Sequence, residues 1–120
     1  MPHVARAILS ILNGQTKSSS VQDHFGGNPG KVALDNAATI SIKAPAALTG
    51  VCTIQVAQTV PALDADFENY QDTPGTDVVI TAGKTIRVGL PSCSDLRIIS
   101  GSAEGAQRDF TCSILEELAG

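Results

Sequence analysis

The sequence predicts an all-β fold: a single antiparallel β-sandwich of about seven or eight strands, immunoglobulin-like or jelly-roll-like, with an N-terminal arm. Three observations lead to this prediction. Apolar and polar residues alternate along most of the chain after residue 32, as they do in strands that bury one face. Turn-forming segments rich in Gly, Pro, Ser and Asp interrupt the alternation about every ten residues. After residue 20, no segment shows the apolar period of a helix.

The chain of 120 residues has the length of one domain, but its two parts differ in composition. Residues 32–120 carry the alternation and form the predicted sandwich body. Residues 1–31 begin with an apolar run, continue with a polar stretch at 13–20 that predicts flexibility, and end in a turn-rich segment. We therefore predict an N-terminal strand or arm that pairs with its own sheet by default, or with a neighbouring molecule as the alternative.

Each run can be assigned an inward face. The first, at 3–12, is interpreted as a strand rather than a short helix, because the Asn13-Gly14 pair that follows favours a tight turn. The inward residues predicted for the later strands are Ile40 and Ile42; Cys52, Ile54 and Val56; Val78 and Ile80; Ile86, Val88 and Leu90; Leu96 and Ile98; and Phe110, Cys112 and Ile114. Arg97 falls on the outward, solvated side of its strand.

Three cysteines, an odd number, argue against a secreted disulfide framework. Cys52 and Cys112 alternate in phase with apolar neighbours, which favours small buried thiols. A Cys52–Cys112 bridge across the core is the alternative. Cys93 lies in a turn, and the two histidines, His3 and His24, are far from it in sequence, so a catalytic Cys–His pair is not predicted.

Charge and motifs exclude several classes of function. The net charge is −4 and the eight Lys and Arg residues are scattered, so we predict no nucleic-acid partner. No apolar run approaches the roughly 20 residues of a membrane span, so no membrane partner is predicted. Nucleophile, phosphate-loop and zinc spacings are all missing from the sequence. We therefore expect neither an enzyme nor a cofactor.

One acidic segment is a candidate contact site. Four carboxylates alternate in it, those of Asp64, Asp66, Glu68 and Asp72. We interpret it as a solvated loop, with a weak cation site as the alternative. Phe67 and Tyr70 are expected to pack onto the edge of the sandwich. The residues that a partner would contact there are Asp64, Asp66, Phe67 and Tyr70.

Three stretches resemble a known class of proteins: "ALDNAATISIKAPAALTGVCTIQVAQTV", "GTDVVITAGKTIRVGLPSCSDLRIISG" and "RDFTCSILEEL". They are similar to small virion proteins of tailed bacteriophages that have capsid-decoration or minor structural roles. The resemblance covers residues 33–115. It implies a non-enzymatic decoration, or cement, protein that binds the major capsid protein on the outer surface of the virion. It also implies synthesis in the host cytoplasm, where thiols stay reduced.

The apolar start of the chain is the predicted anchor of such a protein. It lies outside the regular alternation and before the polar stretch, so it could clasp a neighbour by strand addition. The expected capsid or oligomer contacts are Ile8, Leu9, Ile11 and Leu12. We expect a homo-oligomer, a trimer or a dimer. Two other functions stay open: a tail or head–tail joining protein, and a carbohydrate-adhesion module that uses residues 61–75.

Overall fold

The computed structural model describes residues 2–21, 37–58, 63–73, 75–89 and 95–117. This part of the chain is built almost entirely from antiparallel strands, which confirms the predicted all-β sandwich. The strands are β1 (Pro2–Ile11), β2 (Ala37–Lys43), β3 (Cys52–Ala57), β4 (Glu68–Asn69), β5 (Gln71–Thr73), β6 (Thr76–Asp77), β7 (Val79–Ile80), β8 (Thr85–Gly89), β9 (Asp95–Ser100) and β10 (Arg108–Glu117). A 3₁₀ turn at Asp64–Asp66 precedes β4.

The first sheet has the order β1–β10–β2–β8, with every neighbouring pair antiparallel. β1 and β10 pair over ten residues, from Pro2 opposite Glu117 to Ile11 opposite Arg108. β1 is therefore the end strand of this sheet and is joined to its own chain, as the default prediction had it.

The second sheet is centred on β3. β9 pairs with one edge of β3, while β4 and β7 pair with the other edge. Residues 16–18 run along the far side of β9, where the amide of Ser18 donates to Ile98 O (2.9 Å) and the amide of Ser100 donates to Thr16 O (2.7 Å). A small hairpin of β5 and β6 lies beside this sheet and turns at Gly75, whose φ of 86° favours glycine.

The serines that follow the turn at residues 13–14, in the stretch predicted to be flexible, form specific hydrogen bonds with both sheets. The Ser18 hydroxyl oxygen accepts a hydrogen bond from the amide of Ile98 (2.8 Å), and Ser18 and Ser20 are both buried. Ser19 is bonded to Ser10 through both its amide and its hydroxyl. The serines therefore serve as partners for backbone groups and carry the chain from the first sheet to the second. The predicted boundary at residue 31 lies outside the described residues.

The core lies between the two sheets and is aliphatic. The predicted inward residues of the later strands are buried or partly buried in it, and Ala7, Leu9, Ile11, Val21 and Ala44, which were not predicted inward, join them. Fully buried apolar residues of large volume are Leu9, Ile11, Val21, Ile40, Ile42, Ile54, Leu96, Ile98, Phe110 and Ile114. β10 buries alternate residues, because successive side chains of a strand point to opposite faces of its sheet, whereas β9 is buried on both faces. The predicted inward residue Leu90, together with His24 and Cys93, lies outside the described residues.

Candidate functional site

The four predicted anchor residues divide between the core and the surface. Ile8 and Leu12 are 48% and 56% exposed, so their side chains are available to a partner. Leu9 and Ile11 are 0% exposed, and the prediction that they contact a capsid or a neighbouring copy needs correction. The reason is the pleat of β1: the residues that alternate with Ile8 point inward and pack against the second sheet.

An open groove lies beside Ile8 on the outer surface of the first sheet. It has a volume of about 230 Å³ and is lined by Arg6, Ala7, Ile8 and Thr111. β1 is the end strand of the described sheet, and this groove lies on its outer face beside Thr111 of β10. On the side of β1 away from β10, the described contacts include the bridge from Ile11 to Ser18 and the neighbouring bonds between Ser10 and Ser19.

A second depression lies at the middle of the same outer face. Its volume is about 320 Å³, and its lining residues are Thr39, Ser41, Arg87, Ser113 and Leu115. The strand register explains this set: Ser41 lies opposite Ser113 on one side and opposite Arg87 on the other. Residues that are opposite in an antiparallel pair share a face, so the depression combines hydroxyl groups with a guanidinium group.

The acidic segment is pinned to the body through Asp64. Its carboxylate binds Lys17 Nζ at 2.8 Å and Arg97 Nη1 at 2.8 Å. Hydrogen bonds from Lys17 and then from Arg97 lower the pKa of Asp64 below its usual value. The Asp64 side chain is still 63% exposed, so solvent screens this ion pair.

Arg97 is not solvated, although the alternation placed it on the outward side of its strand. It is 8% exposed, because the acidic segment folds over it. The Phe67 ring lies under its guanidinium, 4.1 Å from carbon to centroid, and Gln55 Oε1 accepts from its Nε at 2.9 Å. Strand periodicity cannot report a cover that comes from a distant loop, and this is why the prediction was wrong.

A chain of amide contacts continues from Gln55 across the outer face of the second sheet. Gln55 Nε2 donates to Asn69 Oδ1 (3.0 Å), and Asn69 Nδ2 donates to Asp77 Oδ2 (2.9 Å). Gln71 Nε2 donates to the other oxygen of Asp77 (2.8 Å), and Gln71 Oε1 accepts from the amide of Gly75 (2.9 Å). These bonds order the segment that was predicted to be a solvated loop.

The remaining predicted contact residues differ in exposure. Tyr70 is partly buried and packs against the core, and its amide donates to Ile54 O at 2.8 Å. Phe67 is also partly buried. Asp66 and Glu68 are exposed, and Asp66 Oδ2 accepts from the amide of Leu63 at 2.8 Å. The prediction that the two aromatic residues pack onto the sandwich edge agrees with this arrangement.

Both described cysteines, Cys52 and Cys112, are free and fully buried, so the alternative of a bridge between them is wrong. Burial raises the pKa of Cys112 to about 12 and also raises that of Cys52, which disfavours their thiolate forms. In the described ranges, no three His, Cys, Asp or Glu side chains come together as a set of metal ligands. No helix in the part of the chain that the structure describes could span a membrane.

The sequence analysis missed a buried cluster around Glu104. Its Oε1 accepts from the amide of Thr49 (2.8 Å) and from Arg108 Nε (2.9 Å), and its Oε2 accepts from the amide of Gly50 (2.9 Å) and the Ser100 hydroxyl (2.7 Å). Burial alone would raise the pKa of Glu104, but these four bonds outweigh it and lower the pKa to about 2. The spacing of Glu104 and Arg108 is a weak signal, since nothing in it shows that Glu104 is buried.

Comparison with known proteins supports the fold and does not show a family. No protein-family model matches the sequence, and no curated protein matches it. Among solved structures, the chain is similar to a Bacillus endospore appendage protein, described as one of a novel family of disulfide-linked pili. The two share 13% sequence identity with a TM-score of 0.50, over 99% of this chain and 90% of that chain. At this identity the similarity shows the fold alone.

Proposed function

We propose that the chain is a non-enzymatic structural protein of a tailed-bacteriophage virion, which decorates the outer surface of the capsid and stabilises it. The observation that carries this proposal is a pair of exposed apolar side chains at β1, those of Ile8 and Leu12, beside the groove on the outer face of the first sheet. Exposed apolar side chains add buried area when a partner covers them. The resemblance of residues 33–115 to small phage virion proteins supports the same role.

The partners proposed are the major capsid protein and further copies of this chain. A decoration protein must resist deformation while it bridges subunits of a shell. Two features supply that resistance here: the ten-residue pairing of β1 with β10, and the Glu104 cluster at the end where chain connections pass between the sheets. Cys52 and Cys112 are fully buried, so neither thiol is placed to form a disulfide bond with another copy.

A second candidate is a subunit of an extracellular filament. The specific observation that favours it is the shared fold with the endospore pilus protein, which extends over nearly the whole of this chain. Both candidates are structural roles. They differ in the assembly to which the chain belongs, a phage particle in the first and a filament in the second.

Location on a particle separates these candidates. Gold-labelled antibodies against the chain are applied to particles and filaments from cells that express the gene. Label over phage heads is the expected result and supports decoration. Label over tails supports a tail or head–tail joining role, and label over filaments supports the second candidate. If neither particles nor filaments carry label, the structural role is contradicted.

The exposed apolar residues can then be tested directly. The double variant Ile8→Asp and Leu12→Asp places charge beside the β1 edge without touching the core, because both side chains are exposed. We expect it to fold and to lose most of its occupancy on the particles. The matched control is Val51→Asp with Val79→Asp, which are similarly exposed but lie at or next to strands of the second sheet. Equal occupancy of the two variants would discard the β1 contact.

A further inference from the structure

Three cations lie outside any described ion pair on the outer face of the first sheet, in a protein whose net charge is −4. They are Arg6, Lys43 and Arg87, and all three are exposed. Of the other described cations, Lys17, Arg97 and Arg108 are held in ion pairs, and Lys84 is exposed in the turn before β8.

The strand register fixes how these cations are arranged. Arg6 lies opposite Ser113, Ser113 opposite Ser41, and Ser41 opposite Arg87, so the two arginines close the ends of one row across four strands. Three strand spacings separate them, about 14 Å. Lys43 lies two residues along β2 from Ser41, about 7 Å away on the same face.

Between the arginines lies the depression of about 320 Å³. The hydroxyls of Thr39, Ser41 and Ser113 line it and can donate hydrogen bonds to an anionic group, while the Arg87 guanidinium adds charge-assisted donors. The described carboxylate at one end of this face, Asp109, already accepts from Ser10 and Gln107. The chemistry of the face suits carboxylates supplied from outside it.

The molecule offers such carboxylates at a different place. Asp66 and Glu68 lie just before and within β4, at the side of the second sheet; we call these two residues the acidic edge. Both are exposed.

We propose that the outer face of the first sheet docks the acidic edge of a second copy of the same chain. This deepens the proposed function, on whose structural role it rests, by naming the surfaces through which copies contact each other. The two surfaces belong to different sheets of one molecule. The contact is therefore head-to-tail: every added copy presents a fresh face or a fresh edge, and growth continues until a ring closes or a filament forms.

The first test measures self-association by sedimentation velocity over a range of protein concentrations. We expect the unmodified chain to associate, and the association to weaken between about 0.05 and 0.5 M NaCl, because salt screens exposed charges. Arg87→Glu removes charge from the face and Glu68→Lys removes it from the edge. Each single variant is expected to weaken association by about tenfold or more.

A matched control separates the docking surfaces from the effect of net charge. Ala103→Glu with Ala106→Glu changes the net charge as much as Arg87→Glu does, at exposed positions of the loop between β9 and β10. It is expected to associate like the unmodified chain. The double variant Arg87→Glu with Glu68→Lys keeps the original net charge and is expected to recover part of the association, because the new carboxylate on the face can meet the new ammonium on the edge. Circular dichroism confirms that every variant is folded.

Mixing the two single variants tests the head-to-tail geometry. Arg87→Glu retains the original edge and Glu68→Lys retains the original face, so an equal mixture should associate more strongly than either variant alone. If instead each surface bound the same surface of a second copy, mixing the two variants would not increase their association.

Three outcomes overturn the inference: an unmodified chain that stays monomeric, single variants that associate normally, or a mixture that associates no more strongly than either variant alone. A chain that is found on particles while monomeric in solution retains the proposed function and loses this inference alone. Retention on heparin or single-stranded DNA that depends on Arg87, without self-association, would assign the face to a foreign polyanion instead.

Discussion

Two carboxylates, Glu104 and Asp64, each organise a polar cluster, and they do so under opposite conditions. Glu104 is fully buried and receives four hydrogen bonds, three of them from neutral groups. Asp64 is largely exposed and receives two, both from cations. Both pKa values are lowered, so hydrogen bonding favours the ionised form of each carboxylate.

The difference between them shows how burial, rather than the number of charges, decides what a polar cluster contributes. In water, the Lys17 and Arg97 contacts of Asp64 compete with solvation of the same groups. The buried carboxylate of Glu104 cannot replace a lost hydrogen bond with one from water. Removal of one of its donors therefore leaves a buried acceptor unsatisfied, which lowers the stability of the fold. The Glu104 cluster also joins segments that are far apart in sequence, since residues 49–50 and 100–108 meet there.

Replacement of Glu104 should have the largest effect. Glu104→Ala leaves the amides of Thr49 and Gly50 and the Arg108 guanidinium without their acceptor. We expect the free energy of unfolding to fall by about 3–5 kcal/mol, as measured by urea denaturation. Glu68→Ala, on an exposed carboxylate, is the control and should change it by less than about 0.5 kcal/mol. Similar values for both variants would show that the buried cluster is not a special source of stability.

Acid should weaken the protein through the same residue. The pKa of Glu104 is about 2 in the folded chain against 4.5 as its ordinary value, so the unfolded chain takes up a proton first as the pH falls. Its contribution is complete above about pH 4.5 and is lost towards pH 2, a total of about 3 kcal/mol. Thermal unfolding between pH 6 and 2 measures this loss. In Glu104→Gln, the fall in melting temperature with falling pH should be clearly smaller. The fall that remains comes from Asp64 and Asp109, whose pKa values are also lowered.

Gly50 tests how closely the cluster is packed. A methyl group there would meet Ser100 Oγ and would lie 2.6 Å from Ser102 N, both closer than carbon atoms normally come. Gly50→Ala should therefore cost about 2 kcal/mol of unfolding free energy, by urea denaturation. Gly101→Ala is the control, because its nearest neighbour, Val51 O, is 3.6 Å away. If the two glycines tolerate alanine equally, the close approach at Gly50 is not a constraint.

The smallest effect is expected at Asp64. Asp64→Asn removes the ion pairs with Lys17 and Arg97 but keeps a side chain of the same shape. The melting temperature should fall slightly in low salt and be unchanged in about 0.5 M NaCl, since exposed pairs are screened. Hydrogen exchange at the Tyr70 amide should quicken, because this segment is held to the body through Asp64. A large, salt-independent loss would place Asp64 in the same class as Glu104.

The alternation of apolar and polar residues predicted the strands well where alternate side chains pack into the core. Ile40 with Ile42, and Phe110 with Ile114, are buried as the alternation predicted. The four short strands β4 to β7 were predicted only in part: the segment of β7 was identified from the phase of Ile80, whereas β4, β5 and β6 were not. They lie in the acidic segment, whose order comes from amide contacts with β3 rather than from an apolar period of its own.

The candidate site was predictable residue by residue but not as a surface. Outward positions for Lys43 and Arg87 follow from the alternation, and Arg6 alternates out of phase with buried Leu9. That Arg6 and Arg87 face one depression depends on the order β1–β10–β2–β8, which joins strands from opposite ends of the chain. Ile8 and Leu9 illustrate the same limit, because an apolar run does not say which of its residues will be left outside.

The sequence by itself determined the class of fold, the aliphatic core and the buried state of Cys52 and Cys112, because each of these follows from a period of two along a strand. The tertiary structure alone decided that Arg97 is covered, that Glu104 is buried and that three cations share one face. These depend on contacts between segments distant in sequence, where a loop or a strand order brings together groups that no local pattern relates.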